Sequence, residues 1–281
     1  MTIAISLKVN DGLVLAADAA ASTVGQDEDG SVRVIKVYEY ASKIAKVSRL
    51  ADIGLITWGS GGIGQASMPS LAKDLRRRFD GLDPSFESWR IDPNNHTVEQ
   101  IAARAREFFF DEKYGPTYKE WPEKPSLGFL VAGYSTGVDM PEEYLVDVDD
   151  GKCVGPNLIR PKEQTGVDWW GQPEAITRLM FGFSGILPNI LKDALKLSDE
   201  QMDTTITAIV EQTGVQMVAG AMPFQDAIDL AQFLAELSIN FSRFIPGPQI
   251  VGGAVQMAAI RKHEGFKWLK RSYYYPPELN S

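Results

Sequence analysis

The second residue, Thr2, carries a hydroxyl that would become a candidate nucleophile on removal of Met1. Removal of Met1 is expected in the cytoplasm, because the residue that follows it is small. Thr2 would then carry a free α-amine, whose pKa of about 7.7–8.0 lets it act as a base near neutral pH. Nucleophile and base would thus reside in one residue. Such a site needs a cation that lowers the proton affinity of both groups, and a carboxylate that holds the cation.

The glycine-rich stretch GSGGIGQ, residues 59–65, is a second feature that could take part in chemistry. Gly59, Gly61 and Gly64 satisfy the G-x-G-x-x-G pattern of dinucleotide-binding turns. However, the surrounding strands do not alternate with helices, and no suitable acidic residue follows about 20 residues later. Two interpretations fit better. One is a tight strand-to-helix turn that needs positive φ, and the other is a backbone N–H that binds developing negative charge.

Other reactive side chains are scarce. The chain has one cysteine, Cys153, and two histidines, His96 and His263. An internal disulfide and a zinc site of the usual Cys/His type are therefore excluded. Both histidines stand in contexts typical of loops and turns, so the general base of an enzyme is expected to be another group. We expect no cofactor and no metal.

Composition excludes several classes of protein. The chain has 281 residues, 44% of them hydrophobic, and a formal net charge of -9. A surplus of negative charge argues against binding to nucleic acid. No apolar run approaches the about 20 residues of a membrane span, and the first residues lack the features of a signal peptide. We expect a cytoplasmic protein with no membrane or nucleic-acid partner.

The elements that must position these residues are strands and helices in alternating blocks. TIAISLKVNDGLVLAAD predicts two strands joined at Asp11-Gly12, and the first 60 residues as a whole predict an antiparallel meander. Two helices, further strands, a block of apolar helices and a closing hairpin around Glu264-Gly265 follow. This order predicts an α+β fold in which two stacked antiparallel sheets are flanked by helix pairs. We expect one domain over residues 1–281, with a Pro-rich tail from about residue 273.

Three stretches of the first third carry a resemblance: TIAISLKVNDGLVLAAD, SKIAKV and ITWGSGGIGQA. They resemble the first hairpin, the lysine-bearing strand and the oxyanion turn of proteasome β-subunits, a branch of the N-terminal nucleophile hydrolases. Two later stretches, WWGQPEAITRL and GPQIVGGAV, resemble the Anbu-type homologues within this branch more than the eukaryotic subunits. The resemblance implies a four-layer αββα sandwich and a homo-oligomeric ring or stack of rings.

The resemblance also implies four catalytic residues. Thr2 would attack a peptide carbonyl, and Asp18, sixteen residues after Thr2, would anchor Lys43. Lys43 would keep the pKa of the nucleophile low, and the Gly59 N–H would hold the oxyanion. The implied activity is that of a threonine-type peptidase acting on peptides or proteins. Whether an ATPase is a partner stays open from the sequence.

Some choices stay open. Lys36 and Lys46 are alternatives to Lys43. A small-molecule amidase of the same nucleophile type and a catalytically silent, ring-forming scaffold are alternatives to the peptidase.

The sequence departs from the family pattern at several positions. Ala20 stands where the family usually has an arginine. Trp169 and Trp170 occupy the region of a supporting serine, and Pro248 and Val251 that of a later aspartate–serine pair. The groups that replace these supports are not predicted.

Overall fold

The computed structural model describes residues 2–26 and 32–272. Met1 and the tail predicted from about residue 273 lie outside these ranges. The strands found there are β1 (Ile3–Val9), β2 (Gly12–Ala17), β3 (Ala21–Gln26), β4 (Val32–Tyr38), β5 (Ile44–Lys46), β6 (Ile53–Gly59), β7 (Gly62–Ile63), β8 (Ala66–Ser67), β9 (Leu127–Gly133), β10 (Glu142–Asp149), β11 (Lys152–Leu158), β12 (Gly166–Gly171), β13 (Gln256–Arg261) and β14 (Gly265–Lys270).

The α-helices of the same residues are α1 (Met68–Phe79), α2 (Val98–Arg106), α3 (Gly115–Tyr118), α4 (Glu174–Phe181), α5 (Leu187–Leu195), α6 (Asp199–Thr213) and α7 (Phe224–Phe244). A 3₁₀ helix, Pro84–Trp89, precedes α2, and a π-helical segment, Glu107–Tyr114, joins α2 to α3. Among the described residues, none of these helices combines the length and the apolar character needed to cross a membrane.

Two five-stranded antiparallel sheets organise the chain. The first has the order β12–β1–β2–β13–β14 and the second the order β11–β10–β9–β6–β5. The antiparallel pairing predicted from the sequence is confirmed. The single meander predicted for the first 60 residues is wrong, because β1–β2 and β5–β6 belong to different sheets and β3–β4 forms a separate ladder.

The hairpin of β1 and β2 brings Asp18 back to the start of the chain. Val9 pairs with Gly12, so the turn residues are Asn10 and Asp11, one position earlier than predicted. The register then runs without interruption to the pair Ala4–Ala17. Every residue of both strands is buried, because both faces of this sheet are covered. The uninterrupted register therefore fixes the distance between the start of β1 and Asp18, which lie at the open end of the hairpin.

Three clusters of buried apolar side chains hold the elements together. One joins the first sheet to α4 and α7, for example through Leu7 and Leu234. A second joins the second sheet to α1 and α2, through side chains such as Leu75 and Phe129. The third contains residues from both sheets, including Leu15 of β2. Burying each such side chain contributes about 1.5–3 kcal/mol, so all three clusters stabilise the elements around the site.

Alternation along β1 assigns its two faces to different clusters. Ile3, Ile5 and Leu7 belong to the cluster that includes α7, whereas Ala4 belongs to the cluster shared by the sheets. Side chains two residues apart on a strand lie on the same face. Thr2 therefore continues the face of Ala4, on the side of the second sheet.

Candidate active site

Thr2 lies immediately before β1 and has only 4% of its surface exposed. Its carbonyl oxygen accepts a hydrogen bond from the Gln172 N–H at 2.8 Å. The preceding residue, Gly171, has a φ of +95°, and a Cβ at this position would overlap the Thr2 carbonyl oxygen. Because only glycine permits both the left-handed φ and the close approach, the end of β12 fixes the backbone of Thr2.

Asp18 follows β2 and is fully buried. Its Oδ1 accepts hydrogen bonds from the Ile3 N–H at 3.0 Å and from Lys43 Nζ at 2.5 Å. Its Oδ2 accepts from the Ala20 N–H at 3.1 Å and from the Gly252 N–H at 3.0 Å. A buried carboxylate is costly unless donors surround it, and here each oxygen has two. These contacts hold the carboxylate in one orientation against Lys43.

Lys43 precedes β5 and is 8% exposed. Burial lowers the pKa of its ammonium group below the ordinary lysine value, and the Asp18 carboxylate opposes this shift. The Lys43 N–H donates to Gln256 Oε1 at 3.2 Å, and its carbonyl accepts from the Thr57 N–H at 2.9 Å. Gln256 Nε2 in turn donates to the Ala41 carbonyl at 2.8 Å. The Gln256 side chain of β13 and the Thr57 backbone of β6 therefore hold the backbone of Lys43 from two different strands.

The two alternative lysines have other environments. Lys46 Nζ lies 2.9 Å from Asp52 Oδ1, and both side chains are partly exposed. Lys36 is exposed on β4. Of the three lysines considered from the sequence, the structure pairs Lys43 with Asp18.

Gly59 ends β6 with a φ of +80°, so this turn does require positive φ. A Cβ on Gly59 would lie 2.5 Å from the Ser126 carbonyl oxygen, which also accepts the Ser60 N–H at 2.8 Å. The chain then forms the short ladder β7–β8 before it enters α1, whereas the sequence predicted a direct turn into the helix. The inserted ladder differs from the strand–turn–helix unit of dinucleotide-binding folds and argues against that interpretation.

Thr2, Lys43 and Gly59 line one cavity of about 670 Å³. Asp18 is not part of its wall but contacts Lys43 from within the core. Pockets that bind small ligands measure about 300–1,000 Å³, so the space beside Thr2 accommodates a short peptide segment or a small molecule. Much of the remaining wall is small or hydroxylated: Ala20, Ala21, Ser22, Ala41, Ser42, Ser60, Gly61, Ser67 and Ser70.

Two aromatic residues connect β1, the strand that follows Thr2, to the turn at Gly59. Trp58, which lines the cavity beside Gly59, stacks on Trp170 with ring centroids 4.8 Å apart and planes 10° apart. Trp170 pairs with Ala4 of β1. Stacked rings of this kind contribute about 0.5–1.5 kcal/mol beyond their buried area. The stack therefore links the end of β6 to the strand that follows Thr2.

The sequence missed the groups that support Asp18 and Lys43. Val251 is buried in the core, and Pro248 lines a different cavity, so neither acts as a side-chain substitute. Instead the backbone N–H of Gly252 and the side-chain amide of Gln256 make the contacts. The glycine pair in GPQIVGGAV was a signal for a close backbone approach near Asp18. Nothing in the sequence marks Gln256.

The histidines and the cysteine lie away from the cavity. His96 Nδ1 is 3.1 Å from the Asp92 carbonyl oxygen, and its Nε2 is 3.2 Å from that of Tyr134. The ring thus joins two loops, and His96 itself lies in a loop, as its context predicted. His263 is exposed in the turn between β13 and β14. Burial raises the pKa of the Cys153 thiol, which disfavours the reactive thiolate.

Comparison with known proteins gives a distant structural likeness. No family model matches the sequence, and no curated protein matches it. The chain is similar to the solved structure of Anbu (ancestral beta-subunit) from Yersinia bercovieri, with 13% sequence identity and a TM-score of 0.48. The match covers 95% of this chain and 87% of that chain.

Proposed function

We propose that this chain is a threonine-type peptidase in which Thr2, freed by removal of Met1, attacks peptide bonds. The observation that carries the proposal is the convergence of Thr2, Lys43 and Gly59 on one cavity, with Asp18 buried against Lys43. Each of these groups has a separate contact that fixes it. A threonine near the chain start without a catalytic role would not need these contacts.

In the proposed reaction, Thr2 Oγ bonds to the carbonyl carbon of the substrate while its α-amine takes the hydroxyl proton. The ammonium of Lys43 lowers the proton affinity of both groups, and Asp18 keeps that ammonium in place. The oxyanion is held by the Gly59 N–H. The peptide C–N bond then breaks, and the leaving amine takes the proton. Water hydrolyses the resulting ester and restores Thr2.

The proposal extends to the assembly. The contacts among both sheets and the two helix groups support a four-layer αββα sandwich built as one domain. We propose a cytoplasmic ring or stack of rings made of this chain. Light scattering on the purified protein tests the assembly, because a ring has many times the mass of the 31.0 kDa chain.

Covalent labelling tests the chemistry. A peptide epoxyketone reacts with a hydroxyl and an adjacent free amine, so it reports on both functions of Thr2. Protein purified from its native host is incubated with the reagent, and peptide mass spectrometry locates the adduct. We expect Met1 to be absent and the label to lie on Thr2. Thr2→Ala is expected to abolish labelling, whereas the exposed helical control Thr204→Ala is expected to label as the unchanged protein does.

Three results would contradict the proposal. If Met1 is quantitatively retained in the native host, Thr2 has no free α-amine and the proposed mechanism cannot operate. Absence of any label on a chain that begins at Thr2 leaves the silent scaffold as the better account. Hydrolysis of small amides without hydrolysis of peptides favours the amidase.

A further inference from the structure

The pairing between β5 and β6 stops at Lys43, where the chain enters the second sheet. Ile44 stands opposite Ile56, so continuation of this register places Lys43 opposite Thr57. Two residues that face each other in this way can exchange two backbone hydrogen bonds. Here the Thr57 N–H donates to the Lys43 carbonyl at 2.9 Å, but the Lys43 N–H donates to Gln256 instead. The segment before β5 therefore depends on Gln256 for pairing that β6 no longer supplies.

The side-chain amide of Gln256 takes the place of a neighbouring strand. Gln256 is the first residue of β13 and has 1% of its surface exposed. Its Oε1 accepts the Lys43 N–H at 3.2 Å, and its Nε2 donates to the Ala41 carbonyl at 2.8 Å. A primary amide offers the same acceptor and donor as a peptide group, and both are used here. The orientation of the amide is thus determined by its two partners, which are backbone groups two residues apart.

Gln256 also lies beside the strand that leads to Asp18. It pairs with Ala17 in the ladder between β2 and β13, and Asp18 directly follows Ala17. The backbone of Lys43 is therefore held by one residue of the first sheet, and its ammonium by Asp18 at the end of the adjacent strand. Lysine has a flexible four-carbon side chain, and a fixed position at each end removes most of that freedom. The frame of two paired strands thus sets where the ammonium can lie.

Two further backbone contacts close this frame. The Ala41 N–H donates to the Ala19 carbonyl at 2.9 Å, and the Ala19 N–H donates to the Gly252 carbonyl at 2.9 Å. Gly252 in turn donates its N–H to Asp18 Oδ2 at 3.0 Å. Both backbone groups of Ala41 are therefore bound, one by the Gln256 amide and one by the chain that follows Asp18.

Gln256 acts on the cavity only through the residues that it holds. Ala41, Ser42 and Lys43 belong to the wall of the cavity at Thr2, whereas Gln256 does not. Removal of its amide would leave two backbone groups without a partner, which costs free energy unless the chain moves to find others. Such a movement would displace the Lys43 ammonium relative to Thr2.

We infer that Gln256 is a positioning residue of the proposed reaction. Its amide holds the backbone before β5 so that the Lys43 ammonium keeps a fixed place relative to Thr2, and it takes no part in bond making or breaking. The inference deepens the proposed function and rests on it for the chemistry that Lys43 supports.

Substitution of Gln256 tests the inference through a split between chemistry and binding. Gln256→Met has a side chain of similar length but neither a hydrogen-bond donor nor a strong acceptor. We expect kcat for an internally quenched peptide to fall at least tenfold, because a misplacement of about 1 Å at the reacting groups can cost about 100-fold. Binding of the same peptide, measured by calorimetry in a Thr2→Ala background, is expected to change by less than about threefold, since Gln256 does not line the cavity.

Three more variants complete the kinetic test. Gln225→Met makes the same chemical change at an exposed position of α7 and is expected to keep kcat. Ser135→Ala removes a buried acceptor of the Val98 N–H outside the cavity wall, so it shows how far kcat responds to a loss of stability alone. Gln256→Asn keeps an amide that is one methylene shorter, and it replaces Gln256→Met if that variant does not fold. Full kcat in a folded Gln256 variant, or an equal fall in Ser135→Ala, would overturn the inference.

A measurement without turnover separates this inference from the proposed function. In Thr2→Ala, hydrogen exchange of the Lys43 amide reports on its contact with Gln256. The nitrogen NMR signal of Lys43 Nζ, assigned by its loss in Lys43→Met, reports on the place of the ammonium. Adding Gln256→Met is expected to speed the exchange at least tenfold and to shift the Nζ signal, whereas Gln225→Met is expected to leave both unchanged.

The two proposals fail in different ways. If the unchanged protein cleaves nothing but Gln256→Met alters the exchange and the Nζ signal, the peptidase proposal fails and the positioning of Lys43 by Gln256 stands. If the protein cleaves peptides but Gln256→Met leaves the exchange and the signal as they were, the peptidase proposal stands and the positioning role is refuted.

Discussion

Lys43 and Asp18 form an ion pair inside the core, with Nζ 2.5 Å from Oδ1 and side chains that are 8% and 0% exposed. The pair connects the strand that follows Lys43 with the hairpin that begins at Thr2. It is also the contact on which the proposed activation of Thr2 depends.

Lys43→Met is expected to reduce both stability and activity. The substitution leaves the Asp18 carboxylate buried without its cation, and breaking a buried pair typically costs about 3–5 kcal/mol. Peptidase activity is expected to fall by at least two orders of magnitude. Urea unfolding and kcat/KM measure the two effects, with Lys36→Met as the control that changes neither.

The double variant Asp18→Asn with Lys43→Met separates folding from chemistry. Two neutral side chains no longer leave a buried charge unpaired, so part of the lost stability is expected to return. The rest stays lost, because the amide nitrogen introduced at position 18 cannot accept the backbone N–H groups that one Asp18 oxygen accepts. Activity is not expected to return. Recovery of activity together with stability would mean that Lys43 acts only by supporting the fold.

The dependence on pH follows from the burial of Lys43, which lowers its pKa below the ordinary lysine value. In the window between its folded pKa and about 10.5 the unfolded chain holds more protons, so the contribution of Lys43 to stability rises with pH there. Activity should fall over the same window, because the cation beside Thr2 is lost. The alkaline limb of kcat/KM is therefore expected below about pH 10.5, and the acid limb near or below the α-amine pKa of about 7.7–8.0. An alkaline limb at or above pH 10.5 would exclude Lys43 as the titrating group. The contribution of Lys43 to stability is obtained by subtracting the free energy of unfolding of Lys43→Met from that of the unchanged protein at each pH.

The sequence predicted the local part of the site better than its distant part. Asp18 is placed by the register of one hairpin, and a two-residue turn determines that register. The positive φ of Gly59 is likewise a local requirement, recognisable in a glycine-rich stretch that follows a strand. Such relationships are contained in short stretches of chain.

Contacts between segments far apart in the chain left no recognisable pattern in the sequence. The N–H of Lys43 meets Gln256, which is 213 positions away, and Asp18 meets Gly252, which is 234 positions away. Periodicity reports which face of a strand is buried but not which residue packs opposite. For the same reason the sequence alone left Lys36 and Lys46 open as alternatives, whereas the structure pairs Lys43 with Asp18.

Gly171→Ala is expected to impair catalysis more than folding. The new methyl group would displace the Thr2 carbonyl, and a shift of about 1 Å at a reacting group can cost about 100-fold in rate. Gly137→Ala is the matched control, since Gly137 also has positive φ, +76°, but no atom within 4 Å of the added methyl. Gly171→Ala should lose more stability than Gly137→Ala in thermal unfolding, because only its methyl group meets backbone atoms, and only Gly171→Ala should lose kcat/KM. Equal activities would show that the end of β12 does not position Thr2.

Gly59→Ala is expected to lose stability and, more selectively, the ability to hold an oxyanion. Forcing a side chain into positive φ costs about 1–3 kcal/mol, and the methyl group would also lie 2.5 Å from the Ser126 carbonyl oxygen. Gly61→Ala has open space around the added methyl and no positive φ, so its unfolding temperature should not change.

A peptide boronate tests the oxyanion role of Gly59 directly. Bound to Thr2 Oγ, the boronate is a tetrahedral anion, whereas the corresponding product peptide keeps a planar end group. Gly59→Ala keeps the backbone N–H but is expected to displace it, because the methyl group meets the Ser126 carbonyl oxygen. Loss of one oxyanion donor typically costs about 100- to 1,000-fold in kcat, so even a displaced donor should weaken boronate binding at least tenfold more than product binding. Equal weakening of both ligands would indicate that Gly59 shapes the cavity without contacting the oxyanion.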